Sequence, residues 1–290
     1  MRTTHRTSVI RLTGAALAAG LVAGVTSPAS AAGDPSPLRY VALGDSVASG
    51  IGAGRTTDSV DGCWADEART RRIANHAAAY PNRIASALKA DLDFTAYCGA
   101  SVAHVRKYQL DTLSAATDLV TVQVGANDFG YARVLEQCVK GAADNIGICN
   151  MNIARINMQY RLELPGKLRK LYDKIKLRAK NAKVVVVGYP RIVSPDSTPL
   201  CLSDGIMPRS THQQMTRAAA TLNATLKREA EHQDFEFVDP TNSFKGHEVC
   251  GDPEWVNGIK PLAFVDSFHP NTAGHEALGW LVWQKVKPTA

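Results

Sequence analysis

Residues 183–188 read Lys183-Val184-Val185-Val186-Val187-Gly188, four successive valines closed by a glycine. β-Branched side chains suit a pleated backbone, and a run without polar alternation has no face to give to water. The stretch predicts a strand covered on both sides, as in a parallel sheet between helices. Working outward, Arg39-Tyr40-Val41-Ala42-Leu43 and Asp118 to Val124 read as further buried strands. Asp91 to Tyr97 and Phe235 to Val238 are shorter candidates. Helical stretches fall between them, around Tyr80 to Lys89, Pro165 to Lys180 and Thr211 to His232. Thr272 to Val286 reads as a closing helix capped by Asn271. Strands alternating with helices predict an α/β fold, a three-layer αβα sandwich around a parallel sheet of about five strands. Longer loops are expected at 50–78, 129–155, 190–210 and 241–268.

The chain has 290 residues, 45% of them hydrophobic and 21% charged, which excludes a disordered or fibrous protein. That length buries a core large enough to fold without a structural metal. Arg2, Arg6 and Arg11 precede an apolar run from Leu12 to Val25, and Ala29-Ser30-Ala31 follows as an A-x-A cleavage site. These are the parts of a secretory signal peptide over residues 1–31, and they predict an extracellular protein. The run is shorter than the roughly 20 residues of a membrane-spanning helix, so no stable anchor is expected. One domain over 32–290 accounts for the rest. Without the first 31 residues the formal charge falls from +6 to +3, with no block of five or six like charges, which argues against nucleic-acid binding. All six cysteines follow the signal, namely Cys63, Cys98, Cys138, Cys149, Cys201 and Cys250. An even count in an exported chain predicts three disulfides. Six cysteines allow 15 pairings; the sequential one is expected, because Cys138 and Cys149 flank one short glycine-containing segment. With no C-x-x-C pair, zinc is the weaker reading, and no metal is expected.

Ligands of open parallel sheets sit beyond the carboxyl ends of the strands. Ser46 follows the first strand, Gly99 the second and Asn127 the third, and Asp266-Ser267-Phe268-His269-Pro270 comes near the C-terminus. Together they supply a serine nucleophile, a histidine base, a carboxylate three residues before it and candidate oxyanion donors, the parts of an acyl-transfer site. Taken singly, Gly44-Asp45-Ser46 and Gly125-Ala126-Asn127-Asp128 also read as ordinary turns, and Asp266 with His269 as a surface pair. Two familiar hydrolase signatures fail: Ala48 breaks G-x-S-x-G, and Gly279 breaks H-E-x-x-H. His104, His247 and His275 have no comparable context and read as structural or solvated.

In order and spacing these pieces resemble the blocks of the SGNH (GDSL) hydrolase family, spanning residues 44–270. Gly44-Asp45-Ser46 resembles the first block, Gly99 the second-block glycine, Gly125-Ala126-Asn127-Asp128 the G-x-N-D block and Asp266-Ser267-Phe268-His269-Pro270 the D-x-x-H-P block. The signal peptide and six cysteines are similar to those of the secreted actinobacterial esterases, lipases and phospholipases. The resemblance implies a flavodoxin-like sandwich that hydrolyses carboxylic esters without a cofactor. It implies Ser46 as nucleophile, His269 as base and Asp266 as its orienting carboxylate. The Ser46 and Gly99 N–H groups and the Asn127 amide are the implied oxyanion hole. In some members of the secreted branch a carbonyl two residues before the histidine, here that of Ser267, replaces the carboxylate.

The expected partner is a small-molecule or lipid ester, handled by a monomer. Lipid acyl esters, including phospholipids, are the first reading, and polysaccharide or feruloyl esters the alternative. A non-catalytic binding domain would have lost part of this machinery. Phe129, Tyr131, Val134 and Leu135 read either as the lining of an acyl groove or as the inner face of an amphipathic helix.

Overall fold

The computed structural model describes residues 36–54, 77–140, 145–196 and 208–287. The signal-peptide segment 1–31, Cys63 and Cys201 lie outside them. Strands β1 (Arg39–Gly44), β2 (Asp91–Phe94), β3 (Leu119–Gln123), β4 (Lys183–Val187) and β5 (Glu236–Val238) pair in the order β2-β1-β3-β4-β5. Every pairing is parallel. The four valines of β4 are all at most 5% exposed. Burying each contributes about 1.5–3 kcal/mol, which favours an interior position, here between β3 and β5.

The helices are α1 (Ser46–Ser49), α2 (Tyr80–Leu88), α3 (Val102–Tyr108), α4 (Tyr131–Lys140), α5 (Ile146–Leu162), α6 (Leu164–Arg178), α7 (Arg209–Glu231) and α8 (Thr272–Val286). Helices α2 and α8 pack together in one layer, while α3 to α7 form the other. The Asn271 side chain accepts from the Gly274 N–H at 3.0 Å and starts α8.

The expected loop at 129–155 is instead largely helical, as α4 and the first half of α5. In α4, Tyr131, Leu135 and Cys138 are buried one turn apart. In α5 the buried face is Cys149, Ile153, Ile156 and Tyr160, but Ile148, Met151, Met158 and Leu162 are exposed on the opposite side. Apolar residues on both faces erase the 3.6-residue period by which a helix is recognised in sequence. A disulfide between Cys138 and Cys149 joins α4 to the start of α5. Closing a loop of this size stabilises a fold by about 3 kcal/mol. Cys98 and Cys250 are also disulfide-bonded.

The chain passes from β1 to β2 on one side and then returns to β3 on the other. This reversal opens a crevice beyond the carboxyl ends of β1 and β3, the ligand position of open α/β sheets. The β1–β3 register ends with Gly44 opposite Gln123, so Ser46 and Asn127 both lie at that crevice.

Candidate active site

Ser46 owes its position to the residues on either side. Gly44 has φ +153°, and a Cβ there would lie 2.5 Å from the Gln123 carbonyl oxygen and 2.6 Å from Ala48 Cβ. Only glycine permits this approach. The Gln109 side-chain amide accepts from the Gly44 N–H and donates to its carbonyl, each at 2.8 Å, beyond the point where the β1–β2 pairing ends at Ala42 and Phe94. Asp45 caps α1, its Oδ1 accepting from the Val47 N–H at 3.1 Å. Such a cap contributes about 0.5–2 kcal/mol. Burial pushes the Asp45 carboxyl up to about 7, against hydrogen bonds from Tyr189, Val47 and Ala48 that pull it down.

His269 comes from the other end of the chain. Its Nε2 lies 2.7 Å from Ser46 Oγ and its Nδ1 3.1 Å from the Ser267 carbonyl oxygen. A carbonyl can only accept, so Nδ1 carries the proton and Nε2 is left to accept from the serine hydroxyl. That is the tautomer a general base needs. The loop is held by main-chain bonds, Asn257 N–H to His269 O and Phe268 N–H to Asn257 O, both 2.9 Å. Phe268 takes a left-handed conformation, φ +62°, between the orienting carbonyl and the imidazole. Gly52 lets this loop approach α1, since a Cβ there would meet His269 Cβ and the Pro270 carbonyl at 2.7 Å.

Asp266 meets His269 through the main chain: the His269 N–H donates to the Asp266 carbonyl at 3.3 Å. Of the two groups that the sequence reading offered to orient His269, the Asp266 carboxylate and the Ser267 carbonyl, it is the carbonyl that stands at Nδ1. Residues 264–266 form a 3₁₀ turn, of which Phe264 and Val265, with the following Ser267, line the cavity beside the serine.

Gly99 and Asn127 meet at the same place. Both line one cavity of about 440 Å³ together with Ser46 and His269. The Asn127 amide donates to the Ala100 carbonyl at 3.2 Å, which uses one of its two N–H donors. Asp128 ties the two turns together, its Oδ2 accepting from the Val102 N–H at 2.9 Å and its Oδ1 pairing with Lys167 at 3.3 Å. Burial nevertheless raises the Asp128 pKa. Among the described residues no group of three or more His, Cys, Asp or Glu side chains is placed to hold a metal ion. Gln109 and Tyr189 escaped the sequence reading. Tyr189 had one signal, its position at the carboxyl end of β4; Gln109, a lone amide after a short helix, had none.

Burial of the imidazole pushes the His269 pKa from its ordinary 6.5 down to about 4, against a smaller upward pull from the Ser267 and Val265 carbonyls. Protonated imidazole cannot accept the serine proton, so activity is lost as pH falls through this value. The acid limb of kcat/KM, which reports the free enzyme, is expected near pH 4. A pH–rate profile with its acid limb at the ordinary histidine value would contradict this.

A family model described as GDSL-like Lipase/Acylhydrolase matches residues 42–277. Lipase 1 of Streptomyces coelicolor is 35% identical over 268 residues, covering 92% of this chain and 91% of that protein. The crystal structure of phospholipase A1 from Streptomyces albidoflavus NA297 superimposes with a TM-score of 0.75 at 30% identity, over 87% of this chain and 100% of that one. That of an extracellular lipase from Streptomyces rimosus gives 0.74 at 30% identity with the same coverage.

Proposed function

The chain belongs to the GDSL-like lipase/acylhydrolase family and is a carboxylic ester hydrolase, and from that premise we propose that it is an exported lipase acting on lipid acyl esters through a Ser46–His269 pair. Export rests on the signal-peptide pattern of residues 1–31 and on similarity to an extracellular lipase. No helix among the described residues is long and apolar enough to cross a membrane.

Ser46 Oγ attacks the acyl carbonyl carbon while His269 Nε2 takes its proton, and the Ser267 carbonyl stabilises the imidazolium at Nδ1. The tetrahedral oxyanion is met by the Ser46 and Gly99 N–H groups and the Asn127 amide. Collapse of the intermediate expels the alcohol, which takes the proton from Nε2 and leaves an acyl-serine. Water, activated by the same imidazole, hydrolyses this second ester and restores Ser46.

The observation that carries the lipid reading is the wall of the cavity. Tyr131, Leu135, Ile192, Leu222, Phe264 and Val265 line it beside the nucleophile. Glu136 of α4 also borders it, but the lining is mostly apolar, which suits an acyl chain whose only polar group is the reacting ester. Of the four residues read both ways, Tyr131 and Leu135 on the inner face of α4 line the cavity, while Phe129 and Val134 pack against the core and are not among its lining residues.

Initial rates on p-nitrophenyl esters from acetyl to palmitoyl test this. The profile is expected to peak at medium or long chains. Turnover confined to acetyl esters would contradict the lipid reading and favour the deacetylation of sugars.

A further inference from the structure

Tyr189 follows β4 and reaches across the crevice to both halves of the site. Its hydroxyl donates to Asp45 Oδ2 in a short hydrogen bond, while Asp45 Oδ1 holds the Val47 N–H. The same hydroxyl accepts from the Ala126 N–H at 3.4 Å. The Ala126 carbonyl accepts from the Tyr160 hydroxyl at 2.9 Å. Both main-chain groups of the residue before Asn127 are thus held by tyrosines. One of those tyrosines also holds the residue before Ser46. The backbone of Tyr189 is itself fixed, because the Asn223 side chain accepts from its N–H and donates to its carbonyl, each at 2.8 Å. Tyr189 is 7% exposed and lines the cavity.

We propose that Tyr189 is a positioning residue that sets the separation between the Ser46 nucleophile and the Asn127 oxyanion donor through its single hydroxyl. An oxyanion donor works only when it is about 2.7–3.1 Å from where the charge will form. The two groups stand on different strands, and the loops carrying them have no side-chain bond of their own between Ser46 and Asn127. A hydroxyl that donates to one turn and accepts from the other gives the spacing a fixed reference. The ground-state acyl chain lies along the apolar wall, so loosening this spacing weakens the transition state more than substrate binding.

This inference rests on the roles proposed for Ser46 and Asn127, and a double-mutant cycle separates the two. Tyr189→Phe keeps the ring and removes the hydroxyl. Well below its melting temperature it is expected to lower kcat by about tenfold with KM changed less than about twofold. In an Asn127→Ala background, where the donor is already gone, the same change is expected to cost less than about twofold. An unchanged kcat in Tyr189→Phe, or the same loss in both backgrounds, would overturn the proposal and leave the serine mechanism intact. Normal turnover in Ser46→Ala would overturn the mechanism instead. Tyr160→Phe, which loosens the same Ala126 anchor from the carbonyl side, should show the same dependence on Asn127 and serves if Tyr189→Phe does not fold. Equal loss in both backgrounds there also counts against the proposal.

Discussion

Ser46→Ala is expected to remove ester turnover almost completely, with kcat falling by about 10⁶ as when other serine hydrolases lose their nucleophile. The substitution deletes one oxygen from a residue that is 8% exposed. It leaves Asp45 on the Val47 N–H and the main chain of α1 unchanged, so the fold and the cavity persist. The variant loses the only hydroxyl within hydrogen-bond reach of His269 Nε2 among the described residues. Initial rates on a p-nitrophenyl ester, with circular dichroism to confirm folding, measure the effect. A loss below about tenfold would mean that another group attacks the acyl carbon.

Asn127→Ala should lower kcat by about 10²–10³ while leaving KM nearly unchanged, the cost of one oxyanion donor. The effect is smaller than that of losing Ser46 because the Ser46 and Gly99 N–H groups remain. Asn127 stands in the 3₁₀ turn Ala126–Phe129, whose backbone is held from outside by Tyr160 and Tyr189 and which is tied to α3 by the Asp128 side chain accepting from the Val102 N–H. Truncating the side chain therefore removes the donor without releasing the turn. Steady-state kinetics on a medium-chain ester distinguish the outcomes. A raised KM with unchanged kcat would place Asn127 in substrate binding and not at the oxyanion.

The sheet was readable because β1, β3 and β4 are largely apolar without polar alternation, and a strand buried between two helix layers suits that pattern. Their ends were readable too, since glycine or a polar residue lies at each, and the crevice collects Ser46 from the end of β1 and Asn127 from that of β3, with Gly99 from beyond β2 and His269 from the loop before α8. What escaped was set by tertiary contact. Helix α5 could not be recognised while Met151 and Met158 lay opposite its buried face. Tyr189 acquires its role only beside Asp45, 144 residues away in sequence. Asp266 was the opposite case. A carboxylate three residues before a histidine is conspicuous in sequence, whereas a main-chain carbonyl carries no residue signature and entered the reading only through the family resemblance. The left-handed turn at Phe268 is what brings the Ser267 carbonyl to Nδ1 instead.

That difference can be measured in one variant. Where a carboxylate orients the histidine of a serine hydrolase, converting it to the amide lowers kcat by about 10⁴, because the amide stabilises the wrong tautomer. With the Ser267 carbonyl at Nδ1, Asp266→Asn should retain kcat within about threefold per folded molecule. A loss approaching 10⁴ would return Asp266 to the catalytic unit and contradict a serine–histidine pair oriented by the main chain.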